Sequence, residues 1–393
     1  MALRSAVGQA VSVSPDAAEL ELRARALLRP EVYDYYAGGS GREATLRANE
    51  KAWRRVWLRP RIFRDVSVVD TAVELPSAGA DRLRTPLAVA PMAHHGLAHP
   101  DGELATAAGA ARAGALYVLS TRSSRRIEDV AAAMSDAGGT WWFQVYLMRD
   151  RDLTAGLVRR AAAAGAQALV LTADTPVVGR KREHGDDLVT ESDFLVNLGP
   201  LGDLYAAQPT SDLTFADIGW LAEVGRGLPV VVKGVLRADD AAACMARGAA
   251  GVIVSNHGGR QLDGALPTAW ALPEVAAAVR EQPSGWVSVD GGVRSGEDAL
   301  AALALGARLV FLGRPVLWAL TCGGADGVQM LLDGLTDDLA YAMALAGATG
   351  LADLADLAAP AVPAVPAVPA VPADSGPRPR PPLPGTHPGH TVE

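Results

Sequence analysis

Short, continuously apolar runs alternate with alanine-rich segments of helical character between residues 86 and 314. The eight runs are PLAVAP, ALYVLS, WWFQVY, ALVLTAD, PVVVKG, GVIVSNH, WVSVDGG and RLVFLGR. Continuous rather than alternating apolarity is typical of parallel strands that are covered on both faces, with the intervening helices as crossovers. Eight such units in succession predict an α/β fold, a closed (β/α)8 barrel, with an open doubly wound sheet as the alternative.

The polar residues at the ends of these runs favour the barrel. Every run ends in groups that are useful for chemistry: Met92 and Ala93, Ser120 and Thr121, Gln144 and Tyr146, Thr172 and Asp174, Lys233, His257, Asp290, and Arg314. In a barrel the carboxyl ends of the strands converge on one mouth, so these side chains would share one site.

The rest of the chain divides into three predicted regions. Residues 1–75 form an N-terminal helical extension, and the sequence does not indicate whether it closes the bottom of the barrel or reaches the mouth. Residues 76–356 form the barrel, in which the acidic loop at about 183–214 is expected to be a lid over the mouth. Residues 357–393 contain 11 of the 26 prolines and are expected to be a disordered tail.

Composition narrows the class of protein. The net charge is −8 without a basic stripe, which argues against nucleic acid as a partner. Cys244 and Cys322 lie in alanine-rich stretches and indicate buried thiols in a reducing compartment, so neither a disulfide framework nor a metal site is expected. No window approaches the roughly 20 apolar residues of a membrane span, and no signal peptide is recognised. We therefore expect a cytoplasmic protein that has no membrane partner.

Two glycine-rich turns indicate a phosphate site. DGGVRSGED follows the seventh strand and LGRP follows the eighth, which is the usual phosphate position in such barrels. Glycines allow backbone N–H groups to approach an anion, and Arg294 and Arg314 supply guanidinium groups. The alternative is tight turns with solvated arginines. No Walker-type loop or dinucleotide fingerprint accompanies these turns, so the phosphate belongs to a substrate or to a mononucleotide cofactor.

Lys233 ends a strand that is otherwise wholly apolar. Its charge is costly in a desolvated mouth unless an anionic or electron-rich group faces it. The lysine could form a Schiff base or stabilise negative charge on a ring. An outward-pointing, snorkelling lysine is the alternative.

The segment SNHGGRQLDG, which follows the sixth strand, combines a base with an anion clamp. A histidine such as His257 can take a proton near neutral pH, and the two glycines that follow it permit a sharp turn under a ligand. Arg260 offers a bidentate fork to a carboxylate. Asp174 could orient His257, although an Asp-Thr-Pro turn is the alternative. Asp263 is interpreted as a turn or helix-cap residue.

These motifs, together with WWFQVY, LTADTP, VYDYYAGG and APMAHHGLAHPDGE, resemble the FMN-dependent 2-hydroxy acid oxidases and dehydrogenases from about residue 15 to 355. The overall pattern is nearest to the hydroxymandelate oxidases of that family, which slightly favours an aromatic or bulky substrate. The resemblance implies FMN as the cofactor, and homotetramers are common in the family. It places FMN against the backbone of Pro91, Met92 and Ala93, against Ser120, Gln144, Thr172, Lys233 and Ser255, and, through the phosphate, against Asp290, Gly291, Gly292, Val293, Arg294, Gly313 and Arg314.

The resemblance also implies the chemistry. His257 would be the base with Asp174 beside it, Lys233 would face the flavin edge on which reduction places negative charge, and Arg260, Tyr35 and Tyr146 would bind the carboxylate and hydroxyl of the substrate. The product would be a 2-oxo acid, and in an oxidase dioxygen would then yield hydrogen peroxide. The alternatives are a dehydrogenase with a quinone or protein acceptor and a non-redox phosphate-binding isomerase.

The sequence departs from the family pattern at the substrate. A second carboxylate-binding arginine usually follows the DTP motif, but a gapless alignment places Lys181 there, between Arg180 and Arg182. A one-residue shift would restore an arginine, whereas a lysine offers no rigid fork. Arg122 stands where the family often has an aromatic residue, and we hypothesise that it supplements or replaces the displaced arginine. A solvated arginine is the alternative.

Overall fold

Eight parallel strands close into a barrel in the computed structural model, which describes residues 16–75, 82–180, 188, 196–199, 201, 203–282 and 285–359. Each strand pairs with the next along the chain, and the last pairs with the first. The predicted (β/α)8 barrel is confirmed and the open sheet is wrong. The strands are β4 Leu87–Val89, β5 Leu116–Leu119, β6 Trp141–Val145, β7 Leu169–Thr172, β8 Val230–Val235, β9 Gly251–Val254, β10 Trp286–Asp290 and β11 Val310–Leu312.

Helices cover the outer face of the barrel. Polar caps fix where several of them begin: Asp150 accepts hydrogen bonds from the backbone at the start of one helix, and Ser295 does so at another, which satisfies backbone donors that a helix leaves open. The helices are α4 Glu103–Ala113, α5 Ile127–Asp136, α6 Arg151–Ala163, α7 Ala216–Val224, α8 Ala238–Ala246, α9 Thr268–Arg280, α10 Gly296–Ala304 and α11 Arg314–Leu345, the last bent at Gly323–Gly324.

The barrel interior is packed with aromatic and aliphatic side chains. The ring of Trp142 lies 5.6 Å from that of Trp286 and 6.4 Å from that of Phe311, measured between centroids. Smaller residues such as Ala88 and Val170 complete this inner cluster. The side chains at the alternating positions of the same strands face the helices instead. Burial on both faces explains why the strands read as continuously apolar runs.

The N-terminal extension reaches both ends of the barrel. Helices α2 Pro30–Ala37 and α3 Ala44–Trp53 lie at the mouth, where α3 contacts the turn after β9, while α1 Ala17–Leu27 packs on α11. The hairpin of β2 Val73–Glu74 and β3 Arg82–Leu83 packs against the first residues of several barrel strands. The extension therefore occupies both of the places that the sequence left open, the bottom of the barrel and its mouth.

The end of the described chain belongs to the folded unit. Strand β1 Trp57–Leu58 pairs antiparallel with β12 Ala358–Ala359, so the folded chain extends slightly past the predicted boundary at residue 357. Residues 360–393 lie outside the described residues, and the disordered tail stays a prediction. Among the helices that the structure describes, none combines the length and apolarity of a membrane span.

We expect Trp142→Ala to lower the free energy of unfolding by about 3–5 kcal/mol, because it leaves a cavity inside the barrel. Trp142 is 1% exposed. Urea denaturation followed by circular dichroism measures the change. The control is Trp57→Ala: Trp57 is 73% exposed, and a substitution at an exposed position costs about 0.5 kcal/mol or less. Equal losses in the two variants would contradict the packed interior.

Candidate active site

A cavity of about 700 Å³ opens at the carboxyl ends of the barrel strands. It is lined by side chains from the barrel, from the N-terminal extension and from the segment at 204–209. Most of the residues predicted for the site meet here. The predicted residues that line it are Tyr35, Pro91, Met92, Ala93, Ser120, Arg122, Tyr146, Lys233, His257, Arg260, Asp290, Gly291, Gly292, Val293, Arg294, Gly313 and Arg314.

His257 and Asp174 form a hydrogen-bonded pair at one side of this cavity. The distance between His257 Nδ1 and Asp174 Oδ1 is 3.0 Å. His257 begins a single helical turn and has a left-handed backbone with φ of 59°, a strained conformation for a residue with a side chain. The backbone N–H of His257 donates to Ser255 Oγ, which fixes the turn to the end of β9. The sequence predicts that the carboxylate of Asp174 lies beside His257, and the geometry agrees with that prediction.

A bulge in the neighbouring strand makes room for Asp174. The register of β8 shifts between Lys233 and Val235, and Gly234 between them has φ of +108°. A Cβ atom at Gly234 would lie 2.6 Å from the Cβ atom of Asp174. Only glycine allows this approach, so the strand sequence VKGV sets the position of the carboxylate on the strand beside it.

The charge state of Asp174 determines which nitrogen of His257 is basic. Burial alone would raise the pKa of Asp174, but His257, Lys233 and two hydrogen bonds lower that pKa to about 2. An ionised carboxylate can only accept, so Nδ1 of His257 carries a hydrogen and donates it. In the neutral imidazole the lone pair is then on Nε2, which is the nitrogen able to take a proton.

Lys233 is buried and ion-paired at the base of the cavity. Its Nζ atom lies 3.2 Å from Asp290 Oδ2 and donates to Ser255 Oγ at 2.9 Å. Burial opposes the charge, yet the carboxylates of Asp290 and Asp174 raise the pKa of Lys233 above its ordinary value. A Schiff base requires a neutral amine, so the geometry favours charge stabilisation. The snorkelling alternative is wrong, because Lys233 is buried.

Three of the predicted cofactor residues do not line the cavity but are linked to lining residues by hydrogen bonds: Gln144, Thr172 and Ser255. Gln144 Nε2 donates to Thr172 Oγ1 at 2.9 Å, and Gln144 Oε1 accepts from Ser120 Oγ at 3.2 Å. Ser255 likewise stands behind Lys233. These bonds join adjacent strand ends and fix the orientation of the amide and hydroxyl groups beneath the cavity.

Another part of the cavity wall is strongly cationic. The guanidinium of Arg314 donates to the backbone carbonyls of Tyr36, Gly38 and Gly258. Burial and the neighbouring Arg260 and Arg294 lower the pKa of Arg314 to about 9. Such crowding of positive charge is relieved when an anion binds among these groups. The glycines of the turn after β10 and these arginines therefore agree better with a phosphate site than with the alternative of tight turns and solvated arginines.

Asp290 provides a direct test of whether FMN fits. Its Oδ2 atom pairs with Lys233, while its buried Oδ1 atom has no hydrogen-bond partner among the described residues. A buried acceptor of this kind requires a donor. A carboxylate repels phosphate, so the side chain suits a hydroxyl of a ligand whose phosphate reaches Gly291–Arg294. FMN carries both groups, in a ribityl chain and a terminal phosphate, and therefore fits the residues present.

The predicted substrate residues surround the rest of the cavity. Arg260 donates through Nη1 to the carbonyls of Tyr35 and Gly38, at 2.8 Å each, and its guanidinium lies 5.4 Å from the centre of the Tyr35 ring. Burial raises the pKa of Tyr146 to about 12 despite the opposing charge of Lys233. Tyr146 therefore keeps its proton and can donate a hydrogen bond. Arg122 donates to the carbonyl of Ala207 at 2.8 Å.

Of the arginines after the DTP motif, the one that the structure describes does not reach the cavity, whereas Arg122 does. Arg180 is exposed and does not line the cavity, although its carbonyl accepts from the backbone of Gly41. Lys181 and Arg182 lie outside the described residues. Of the four candidates for the second carboxylate contact, Arg122 is the one that the described structure brings to the cavity.

Several lining residues were not predicted. Tyr36 donates through its hydroxyl to the carbonyl of His94, and both line the cavity. Gln261 donates to the carbonyls of Asp174 and Val177, which holds the segment that carries the carboxylate. The sequence offers a signal for His94, since it follows directly on Met92 and Ala93. Gln261 carried no such signal, because an amide in a turn is ordinary.

Comparisons with known proteins agree with this site. The family model of the FMN-dependent dehydrogenases matches residues 24–359. The L-lactate oxidase of Nostoc sp. is 43% identical over 85% of this chain and 94% of its own length. The 4-hydroxymandelate oxidase of Amycolatopsis orientalis is 44% identical over 84% of this chain and 94% of its own length. A crystal structure of mandelate oxidase is 41% identical with a TM-score of 0.78, over 88% of this chain and 97% of that one. The chain therefore belongs to the FMN-dependent dehydrogenase family, and its cofactor is FMN.

Proposed function

We propose that this protein oxidises a 2-hydroxy acid to the 2-oxo acid and passes the electrons to dioxygen, which yields hydrogen peroxide. One observation carries the proposal: His257, which is hydrogen-bonded to Asp174, and Arg260 line the same cavity as the turns that suit the phosphate of FMN. Relatives named as oxidases of lactate and of 4-hydroxymandelate support the reaction. A non-redox isomerase does not agree with the membership of an FMN-dependent family.

The residues of the cavity divide the work of binding. Arg260 and the hydroxyl of Tyr35 hold the substrate carboxylate, and the protonated hydroxyl of Tyr146 donates to the substrate. His257 receives the proton that leaves the substrate, and the carboxylate of Asp174 then stabilises the imidazolium. Lys233 holds a positive charge at the cofactor edge. FMN, when bound, would accept the two electrons and the second hydrogen, and the α-carbon and its hydroxyl oxygen would be left as the carbonyl of the 2-oxo acid.

The cofactor residues are proposed in the same way. The two turns would hold the phosphate through their backbone and side chains, and the carboxylate of Asp290 would accept a hydrogen bond from a ribityl hydroxyl. The backbone of the segment after β4, with Ser120, Lys233 and the polar side chains behind them, borders the flavin. The residues assigned to FMN are Pro91, Met92, Ala93, Ser120, Gln144, Thr172, Lys233, Ser255, Asp290, Gly291, Gly292, Val293, Arg294, Gly313 and Arg314.

Arg122 is proposed to contact the substrate carboxylate in place of the displaced arginine. It lines the cavity together with Tyr35 and Tyr146, which are the two tyrosines assigned to the substrate, and interacts electrostatically with both. Burial lowers the pKa of Arg122 to about 10, so the group stays charged at working pH. A solvated arginine would not show this burial.

The substrate is proposed to be an aromatic or bulky 2-hydroxy acid of the mandelate type. The relatives that are named as hydroxymandelate and mandelate oxidases support this choice. The loop at about 183–214 is proposed to act as a lid that selects size. Its described part includes a short helical turn, Leu204–Ala207, and Leu204, Gln208 and Pro209 line the cavity.

We further propose a cytoplasmic homotetramer. The segment after β1 exposes apolar side chains that a subunit interface would cover: Ile62 is 75% exposed and Phe63 is 99% exposed. Phe63 also has a left-handed backbone with φ of 57°. Adjacent exposed apolar groups of this size are typical of interaction surfaces.

The reaction is tested by adding 2-hydroxy acids to the purified yellow protein without oxygen. We expect the visible absorbance of bound FMN to be lost with mandelate-type acids and to return when air is admitted, with one equivalent of peroxide per turnover. Recovery only with a quinone or protein acceptor would instead indicate the dehydrogenase.

We expect His257→Gln to keep FMN but to react about 10²- to 10⁴-fold more slowly, because the base is absent. An unchanged rate in that variant would contradict the assignment of His257.

Substitution of Asp174 tests the pairing. With a pKa of about 2, Asp174 is ionised throughout the working range, so it places a full negative charge 3.0 Å from His257 Nδ1. Asp174→Asn removes that charge, and the imidazolium that forms when His257 takes up the proton of the substrate loses its stabilisation. We expect kcat to fall about 10²- to 10⁴-fold, measured by steady-state kinetics. The control is Asp101→Asn, because the side chain of Asp101 is 71% exposed, and an unchanged kcat in Asp174→Asn would contradict the pairing.

Substitution of Arg122 tests the second carboxylate contact. We expect Arg122→Ala to raise KM for acid substrates about tenfold, because a charge-assisted hydrogen bond is lost. Arg122→Lys keeps the charge without the fork and should give a smaller increase. The control is Arg126→Ala, since the side chain of Arg126 is 64% exposed. Unchanged affinity of Arg122→Ala for acids would overturn the assignment.

A further inference from the structure

The side chain of Asn49, on helix α3, forms a reciprocal amide pair with Asn256. Asn49 Nδ2 donates to Asn256 Oδ1 at 2.9 Å, and Asn256 Nδ2 donates to Asn49 Oδ1 at 2.7 Å. Both residues are buried, with 2% and 4% exposure. Asn256 directly precedes His257, and its Oδ1 also accepts from the backbone N–H of Gly259. The pair therefore connects the N-terminal extension to both ends of the turn that begins with His257.

The backbone of Asn49 lies against the turn assigned to the phosphate. A Cβ atom at Gly292 would lie 2.6 Å from the carbonyl carbon of Asn49, and Gly292 has φ of +86°. Further contacts from the same helix hold this turn: Trp53 Nε1 donates to the carbonyl of Gly291 at 2.8 Å, and Glu50 pairs with Arg294 at 2.8 Å. Helix α3 thus touches the phosphate turn with its backbone and two side chains. It touches the turn of His257 with the amide of Asn49 and, at Gly259, with the backbone of Leu46.

We propose that Asn49 is a positioning residue that couples occupancy of the phosphate turn to the placement of His257. The inference rests on the proposed role of His257 and extends it to a residue that does not line the cavity. Both turns contact the same residue, so a phosphate that orders Gly291 and Gly292 restrains Asn49, and Asn49 in turn restrains Asn256. The amide of Asn256 uses both of its donors and accepts two hydrogen bonds, so it holds one orientation.

Asn256 keeps other contacts when the side chain of Asn49 is removed, so the turn that begins with His257 would loosen without unfolding. Asn256 Nδ2 also donates to the carbonyl of Leu266 at 3.1 Å, and Asn256 Oδ1 keeps its bond from Gly259. The strained backbone of His257 depends on such surrounding bonds to persist. Removing one of them shifts the imidazole rather than the fold, and a small displacement of a catalytic group is costly to the rate.

The test uses Asn49→Ala in the full chain. With FMN saturating, we expect kcat to fall about 10- to 100-fold with little change in KM, and the Kd for FMN to rise about threefold to tenfold. Hydrogen exchange gives a readout that does not depend on activity. In the unsubstituted protein, added FMN should slow exchange of the amides at 256–260, where Gly259 donates to Asn256, and in Asn49→Ala this response should be lost.

Thr45→Val is the matched control on the same helix. It removes the bonds of the Thr45 hydroxyl to Ala265 and from Gly264 but leaves the amide pair intact. We expect Thr45→Val to keep the exchange response to FMN. Should Asn49→Ala fail to fold, Asn49→Ser takes its place in the test, because serine keeps a polar group against Asn256.

The outcomes separate the two proposals. An intact FMN response in Asn49→Ala, or an equal loss in Thr45→Val, would overturn the coupling through Asn49. If the protein oxidised no 2-hydroxy acid, the proposed reaction would fail, while the FMN affinity and the exchange response would still decide whether Asn49 couples the two turns.

Discussion

The buried ion pair between Lys233 and Asp290 is the interaction on which the mouth of the barrel depends. A buried charge is expensive unless it is paired and hydrogen-bonded, and here the two charges stand on β8 and β10 with Ser255 of the intervening strand bonded to the lysine. Loss of either partner would leave the other charge buried alone. The pair therefore ties three neighbouring strand ends together and fixes the floor beneath the cofactor.

Above this floor the cavity wall combines two kinds of charge. Near His257 the ionised carboxylate of Asp174 lies 3.0 Å from the imidazole, which suits a group that takes up a proton. Burial and the neighbouring Arg260 and Arg294 lower the pKa of Arg314, so the cationic part of the wall suits a dianionic phosphate. One ligand with an anionic tail and a ring that faces the base can contact both.

Much of the fold and of the first layer of the site was predictable from the sequence. Apolar runs buried on both faces read clearly as strands, and the geometry of a barrel brings their polar ends together without further information. The supporting layer was not predictable. Asn49 and Asn256 are 207 residues apart, and one asparagine in an amphipathic helix carries no local signal. The bulge at Gly234 and the left-handed backbone of His257 follow from tertiary packing, which local residue patterns do not encode.

The N-terminal extension is part of the active site because it supplies backbone acceptors to two buried guanidinium groups. Arg260 and Arg314 both donate to the carbonyl oxygen of Gly38, and both also bond the carbonyl of Tyr36. These oxygens carry only partial negative charge, so they orient the two guanidinium groups without neutralising them. The remaining positive charge stays available to a phosphate on one side and a carboxylate on the other. A full carboxylate at this place would have satisfied both arginines and weakened their attraction for either ligand, so backbone carbonyls suit a site that must hold two anions.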